Sequence, residues 1–265
     1  MSRIADTFGR LKAEGRPGLV TYITAGDPTL ARTRELLPAL ARSGADIIEL
    51  GVPFSDPLAD GPVIQRATER ALASATTLDA VLALVAGVRA ELSTPLVLFT
   101  YANPVARMGF EVFADRAAAA GVDGVLLLDV PIEEAGDVHR LLDARGIDTI
   151  VLLSPTSTPE RIRQAARLAR GFVYAISRLG VTGARDRMAD GAEALVARIR
   201  LETTLPVALG FGLSRPEHVR EAGRWADAAV VGSGLVQVIA DSGDTPELVP
   251  RVEAYLQWLT GRGAA

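Results

Sequence analysis

The stretch ADIIELGVP (45–53) decides the fold. Its apolar residues stand side by side instead of alternating, so an extended strand here must be covered on both faces. A parallel sheet packed between helices makes that demand. The run ends at Gly51 and Pro53, residues that stop a strand.

Runs of the same kind recur on either side of it: GLVTYITAG (18–26), PLVLFTYAN (95–103), GVLLLDVP (124–131), TIVLLSP (149–155), FVYAISR (172–178), PVALGFG (206–212) and AAVVGS (228–233). The segments between them carry a helical period. Residues 246–260 place Leu248, Val249, Val252, Tyr255, Leu256 and Leu259 on one face. Thr158 before Pro159 reads as a helix cap with proline in the first turn, and Ser214 with Glu217 fits a capping box. Eight strand–helix repeats in 265 residues predict a (β/α)8 barrel, a fold that uses about 250 residues. The expectation is one such domain over 1–265, with an extra N-terminal helix and an enlarged loop after strand two. That loop has room for a short helix near 61–74.

Composition narrows the chemistry. The chain is 49% hydrophobic and 23% charged, carries a net charge of −4, and has no basic block to suit nucleic acid or an anionic membrane. It has no cysteine. The polar opening stretch and the lack of an 18-residue apolar run predict a cytoplasmic protein. The one lysine is Lys12 and the two histidines are His139 and His218, which read as solvated helix positions. A lysine imine in the barrel body and a histidine metal cluster are therefore excluded.

Barrel active sites gather at the carboxyl ends of the strands. Glu49 closes strand two inside an apolar run, and the proline-stiffened loop GVPFSDPLADGP beyond it carries Asp56 and Asp60. A desolvated carboxylate suits proton transfer, and two carboxylates in different surroundings can divide acid and base roles. A buried ion pair with an arginine is the other reading of Glu49. Turn formation is the other reading of each aspartate. The turns GFGLS (210–214) and GSG (232–234) fall after strands seven and eight, where barrels hold phosphate on main-chain amides, and Ser233 adds a hydroxyl donor. Tight βα turns would need the same glycines. Asp129, at the end of strand four, would bond a substrate hydroxyl or cap the next helix. Tyr22, Phe99, Tyr101, Tyr174 and Phe211 would line an aromatic pocket or pack the core, and Arg178 would steer an anion or pair with an acid.

Seven segments together resemble the tryptophan synthase alpha chain family: ELGVPFSDPLADGP (49–62), TAGDP (24–28), TYANP (100–104), LLLDVPIEE (126–134), SRLGVTGAR (177–185), GFGLS (210–214) and VVGSGL (230–235). They lie in the family's order from residue 2 to about 259. The resemblance implies retro-aldol cleavage of indole-3-glycerol phosphate to indole and glyceraldehyde 3-phosphate. It implies that Glu49 is the acid/base and that Asp60 holds the indole N–H. It also implies that Tyr22, Phe99, Tyr101, Asp129, Tyr174 and Phe211 surround the ring, with Tyr174 near Glu49. Phosphate would rest on Gly183, Gly212, Gly232 and Ser233, and Thr182 would bond Asp60 on closure. No cofactor or metal is implied for this chain. A β partner carrying pyridoxal phosphate is implied, in an α2β2 assembly, with loops 53–60 and 179–188 signalling between chains. Tyr22, Phe99 and Ala102 depart from the family's common residues and bear on the indole pocket.

The residue inventory agrees on one point. Aldol cleavage needs an electron sink, and indole protonated at C3 supplies its own, so two carboxylates suffice. A free-standing lyase without a β partner shares every motif. Another sugar-phosphate barrel would share the phosphate turns but leave Glu49 and the ADGP segment unexplained, and a non-catalytic regulatory partner would have no use for either carboxylate.

Overall fold

The computed structural model describes residues 2–176, 191–210 and 212–261. In chain order the first half runs α1 (Arg3–Glu14), β1 (Gly18–Thr24), α2 (Leu30–Arg42), β2 (Ile47–Gly51), α3 (Pro62–Ala73), α4 (Leu78–Val88), β3 (Leu96–Thr100), α5 (Ala102–Met108), α6 (Phe110–Ala120) and β4 (Gly124–Leu127). The second half runs α7 (Gly136–Asp143), β5 (Asp148–Thr149), β6 (Val151–Leu153), α8 (Pro159–Leu168), β7 (Val173–Ile176), α9 (Ala192–Arg200), β8 (Val207–Gly210), α10 (Pro216–Ala222), β9 (Ala228–Val231), α11 (Ser233–Ser242) and α12 (Leu248–Thr260).

All strand pairs are parallel, in the order β5-β4-β3-β2-β1-β9-β8-β7-β6. The two strands at the ends of this order are neighbours in sequence, so the sheet curls round and meets itself at Ile150. The predicted fifth strand is thus two short pieces. β5 pairs with β4, β6 pairs with β7, and the Ile150 amide donates to the Val125 carbonyl at 2.9 Å. The barrel is otherwise the expected one, and the enlarged connection after β2 holds the expected extra helix, α3. Among the described residues no single helix is long and apolar enough to cross a membrane.

Two shells of core form because strand side chains alternate between the lumen and the helical layer. Val20, Ile47, Val97, Phe172, Ala208 and Ala228 fill the lower lumen. Ile4, Phe8 and Leu11 of α1 join them and plug the bottom, each contributing about 2 kcal/mol by burial. Around that floor, aspartates that precede strands accept the amide of a neighbouring strand. Asp46 takes Leu19, Asp123 takes Leu96 and Asp227 takes Val207, at 2.9, 2.8 and 2.8 Å. Arginines pair with each of them: Arg16, Arg89 and Arg200. The bottom of the barrel is thereby closed and stiffened, and the open end is the other one.

Two expectations fail. Ser214 does not cap α10. Pro216 takes the first helical position, its fixed φ suits it there, and the extended Arg215 becomes the cap. The Ser214 amide instead donates to Nδ1 of His218 at 3.4 Å. The histidines are not solvated either, since His139 and His218 are each 8% exposed. His139 turns toward the core, and burial pushes its imidazole below the usual pKa. The cap of α8 does follow expectation, with Thr158 Oγ1 accepting from the Arg161 amide at 3.3 Å. On α12 the residues Leu248, Val252, Leu256 and Leu259 are buried as one stripe.

Candidate active site

Glu49 lies one residue pair before the end of β2, in register with Tyr22 of β1 and Val97 of β3. Its side chain points into the upper lumen and is 0% exposed. Neither carboxyl oxygen has a hydrogen-bond partner among the described residues, which removes the ion-pair reading there. Burial without a partner disfavours the charged form, and the carboxyl pKa is pushed up to about 8. A carboxyl held in this way is a proton donor near neutral pH.

Asp60 reaches the same space from the loop beyond β2. Gly61 caps α3, and Pro62 occupies its first turn. Asp60 therefore sits at the positive end of that helix. The Tyr101 hydroxyl donates to Asp60 Oδ2 at 3.1 Å and accepts the Ala59 amide at 3.1 Å. Gln65, one turn into α3, donates to the Asp60 carbonyl at 2.9 Å. Burial raises the Asp60 pKa to about 6, and the Tyr101 bond opposes the rise. Asp56 is exposed and takes no place in the cavity wall; its carbonyl accepts the Leu58 amide in a tight turn.

Glu49 and Asp60 line one cavity. Tyr22, Phe99 and Tyr174 give it aromatic walls, and Tyr22 meets Phe99 edge-on with ring centroids 5.0 Å apart. The glycines that end β2 and β8 make room for the two tyrosines. A Cβ at Gly51 would stand 2.2 Å from the Tyr22 hydroxyl, and one at Gly210 would stand 2.6 Å from the Tyr174 hydroxyl. Ile64, Leu128, Leu152, Ile176 and Val230 complete the apolar lining. Sequence reading passed over these five. The signal was there in part, because Leu152 and Val230 occupy alternate, lumen-facing positions of runs already recognised as strands.

Polar main chain also faces the cavity. Gly212, Gly232 and Ser233 line it. Gly212 has φ +79°, a conformation that favours glycine. Ser233 opens α11, a helix of 10 residues with no side chain capping its first turn. Its amides are thus available to an anion, as two adjacent βα turns of this kind predict. Asp129 is exposed at the rim, and its Oδ1 accepts the Ala102 amide at 2.7 Å. It caps a helix, but the one before it, α5, and not the one that follows. Thr182, Gly183, Phe211, Arg178 and the 179–188 loop lie outside the described residues. Among the described residues no group of three or more His, Asp or Glu side chains is placed to hold a metal ion.

The arrangement can donate a proton from one carboxyl, accept a hydrogen bond on a second, and seat an anion on main-chain amides beside aromatic walls. The model of the family described as tryptophan synthase alpha chain matches residues 8–259. The tryptophan synthase alpha chain of Geobacter sulfurreducens is 54% identical over 238 residues, 90% of each chain. The crystal structure of tryptophan synthase subunit alpha from Legionella pneumophila is 37% identical, with a TM-score of 0.88 over 99% of this chain and 97% of that one. A chain from the tryptophan synthase α2β2 complex of Pyrococcus furiosus is 38% identical, with a TM-score of 0.87 over 93% of this chain and 99% of that one.

Proposed function

The chain belongs to the tryptophan synthase alpha chain family, a family of lyases in tryptophan biosynthesis, and from that premise we propose that Glu49 and Asp60 cleave indole-3-glycerol phosphate between them. The observation that carries the assignment is the Glu49 carboxyl, wholly buried and without a hydrogen-bond partner among the described residues, in one cavity with Asp60 and the opening turn of α11.

The substrate lies with its phosphate on the Gly212, Gly232 and Ser233 end and its indole ring between Tyr22, Phe99 and Tyr174. Protonated Glu49 gives its proton to indole C3. The ring becomes iminium-like, and the ionised Asp60 accepts the indole N–H and stabilises the positive charge. Glu49, now a carboxylate, takes the proton of the glycerol hydroxyl next to the ring. The carbon–carbon bond breaks, its electrons return to the ring, and indole and glyceraldehyde 3-phosphate leave. The proton count closes on Glu49, which ends protonated as it began. Gly183, Thr182 and Phe211 complete the binding set in this reading, and Asp129 and Tyr101 stand at the rim.

The chain works as one barrel domain, in the cytoplasm, with no cofactor of its own. Lys12 is its only lysine, and the substrate ring is the electron sink. Pyridoxal phosphate belongs to a β partner, with which the chain forms an α2β2 assembly of the kind named for Pyrococcus furiosus. Leu58, 84% exposed at the tip of the loop that carries Asp60, suits a covered surface better than a solvated one.

The test mixes purified protein with indole-3-glycerol phosphate and follows indole, with and without a tryptophan synthase β chain. Indole is released, and faster with the β chain. Glu49→Gln releases none while still binding the substrate, and Asp60→Asn turns over far more slowly. Near-normal turnover by Glu49→Gln overturns the assignment. Release that ignores the β chain marks a free-standing lyase.

A further inference from the structure

The TAGDP segment (24–28) has no part in the chemistry above, yet its turn is held by several side-chain hydrogen bonds. Asp27 is 2% exposed, and both its oxygens are held by Arg70 of α3, Nε to Oδ1 at 2.7 Å and Nη2 to Oδ2 at 2.8 Å. This is the two-pronged geometry that only a guanidinium supplies. The rest of the turn is fastened to the same end of the same helix. Ser74 Oγ donates to the Gly26 carbonyl at 3.0 Å, and Ser74 and Thr76 hydroxyls lie 3.2 Å apart. Gly26 has φ +86°, and a Cβ there would fall 1.9 Å from Thr76 Oγ1. The Gly26 amide donates to Thr33 Oγ1 at 2.9 Å, which ties α2 into the same knot.

The other end of α3 holds Asp60. The helix has 12 residues and spans about 18 Å. Its far end is clamped to the turn after β1, and its near end carries Gly61, Pro62 and the Gln65 side chain that grips the Asp60 carbonyl. β1 in turn pairs with β2 through five register positions, one of them Tyr22 with Glu49. A closed circuit therefore links the two carboxylates: Glu49 on β2, β1, Asp27, Arg70, α3 and Asp60. Two other links join them: the Tyr101 hydroxyl at the end of β3, bonded to the Asp60 side chain, and the loop 52–59, whose residues Ser55, Asp56, Leu58 and Ala59 are exposed. An exposed loop does not fix a distance to a few tenths of an ångström; a strand pair and a rigid helix joined by a buried bidentate pair do.

We infer that Asp27 and Arg70 are positioning residues for Asp60, setting its distance from Glu49 through α3. The inference rests on the proposed roles of Glu49 and Asp60. A guanidinium pair is costly to bury, and removing one partner leaves the other charge stranded. Asp27→Asn and Arg70→Lys are accordingly the variants to make, since neither strands a buried charge opposite an apolar group.

The experiment measures kcat, KM and thermal midpoint for wild type, Asp27→Asn and Arg70→Lys on indole-3-glycerol phosphate. Gly212, Gly232 and Ser233 take no part in the Asp27–Arg70 bonds, so KM stays within about twofold. The kcat falls by about tenfold to a hundredfold in Asp27→Asn, as displacement of a catalytic group by about 1 Å costs. Arg70→Lys keeps the charge but loses the second prong, and it falls between the two. Unchanged kcat in both variants overturns the inference. So does a loss of activity that only follows the unfolded fraction, with the folded protein turning over at the wild-type rate. If Asp27→Asn does not fold, Arg70→Lys decides alone by the same kcat and KM criterion. Failure here with Glu49→Gln inactive leaves the catalytic assignment standing, whereas an active Glu49→Gln removes that assignment first.

Discussion

The Tyr101 hydroxyl stands 3.1 Å from Asp60 Oδ2 and 3.1 Å from the Ala59 amide, donating to the first and accepting from the second. A single hydroxyl at the end of β3 thus holds both the carboxylate and the backbone of the loop that carries it. Among the described residues it is also the one hydrogen bond that counters the upward pressure of burial on the Asp60 pKa. Tyr101→Phe leaves the Ala59 amide without its partner and lets the Asp60 pKa climb further. Turnover is expected to fall about tenfold, one to two kcal/mol of lost positioning. The acid limb of the rate profile is expected to move to higher pH. An acid limb that stays in place would show that Asp60 does not set it.

The two carboxyls predict a window of activity. In the proposed mechanism Asp60 works ionised, and its pKa is raised to about 6 by burial, so activity is expected to be lost as pH falls through about 6. Glu49 must begin protonated, and burial raises its pKa to about 8, so activity is lost as pH rises through about 8. The quantity to measure is kcat/KM, which reports the free enzyme. A profile flat from pH 5 to 9 contradicts both roles. Loss of the acid limb alone in Asp60→Asn assigns that limb.

At the opposite end of the barrel, Asp123 accepts the Leu96 amide at 2.8 Å and pairs with Arg89 and Arg3 at 2.9 and 2.8 Å. Asp123→Ala leaves a buried amide and the largely buried Arg89 without their acceptor. The expected cost is about 3 to 5 kcal/mol of folding stability, measured by urea unfolding. Because the floor is far from the cavity, kcat of the folded variant is expected to match wild type. A large kcat effect at full folding would mean that the floor and the mouth are coupled.

The barrel was legible because its strands are covered on both faces and so read as unbroken apolar runs. The break at Ile150 was not, since TIVLLSP is as apolar as its neighbours and only the pairing of each half with a different strand divides it. The floor is written in the sequence, where Gly44-Ala45-Asp46 and Gly121-Val122-Asp123 each precede a strand. Glu49 stands out in the sequence as a carboxylate inside an apolar run, and Asp60 as an acid in the proline-stiffened loop just beyond it. The histidines were misjudged because a helical position does not say which face it occupies, and both faced inward. Arg70 gave no signal of its own among so many arginines. Only the fold brings it across to Asp27.

Gly212 tests the phosphate end. Nothing stands within 4 Å of where its Cβ would be, so a side chain meets no obstacle, and the strain comes only from φ +79°. Gly212→Ala carries that strain, about 1 kcal/mol, without a charge. Gly212→Asp carries the same strain and sets a carboxylate beside the bound phosphate. KM for indole-3-glycerol phosphate is therefore expected to rise much more in Gly212→Asp than in Gly212→Ala. The excess should shrink as salt is added, because it is a repulsion between anions at a solvent-facing edge. Indole alone, which has no phosphate, should bind both variants equally. If the two variants raise KM alike, or if indole binding is lost with the aspartate, the anion does not lie at Gly212.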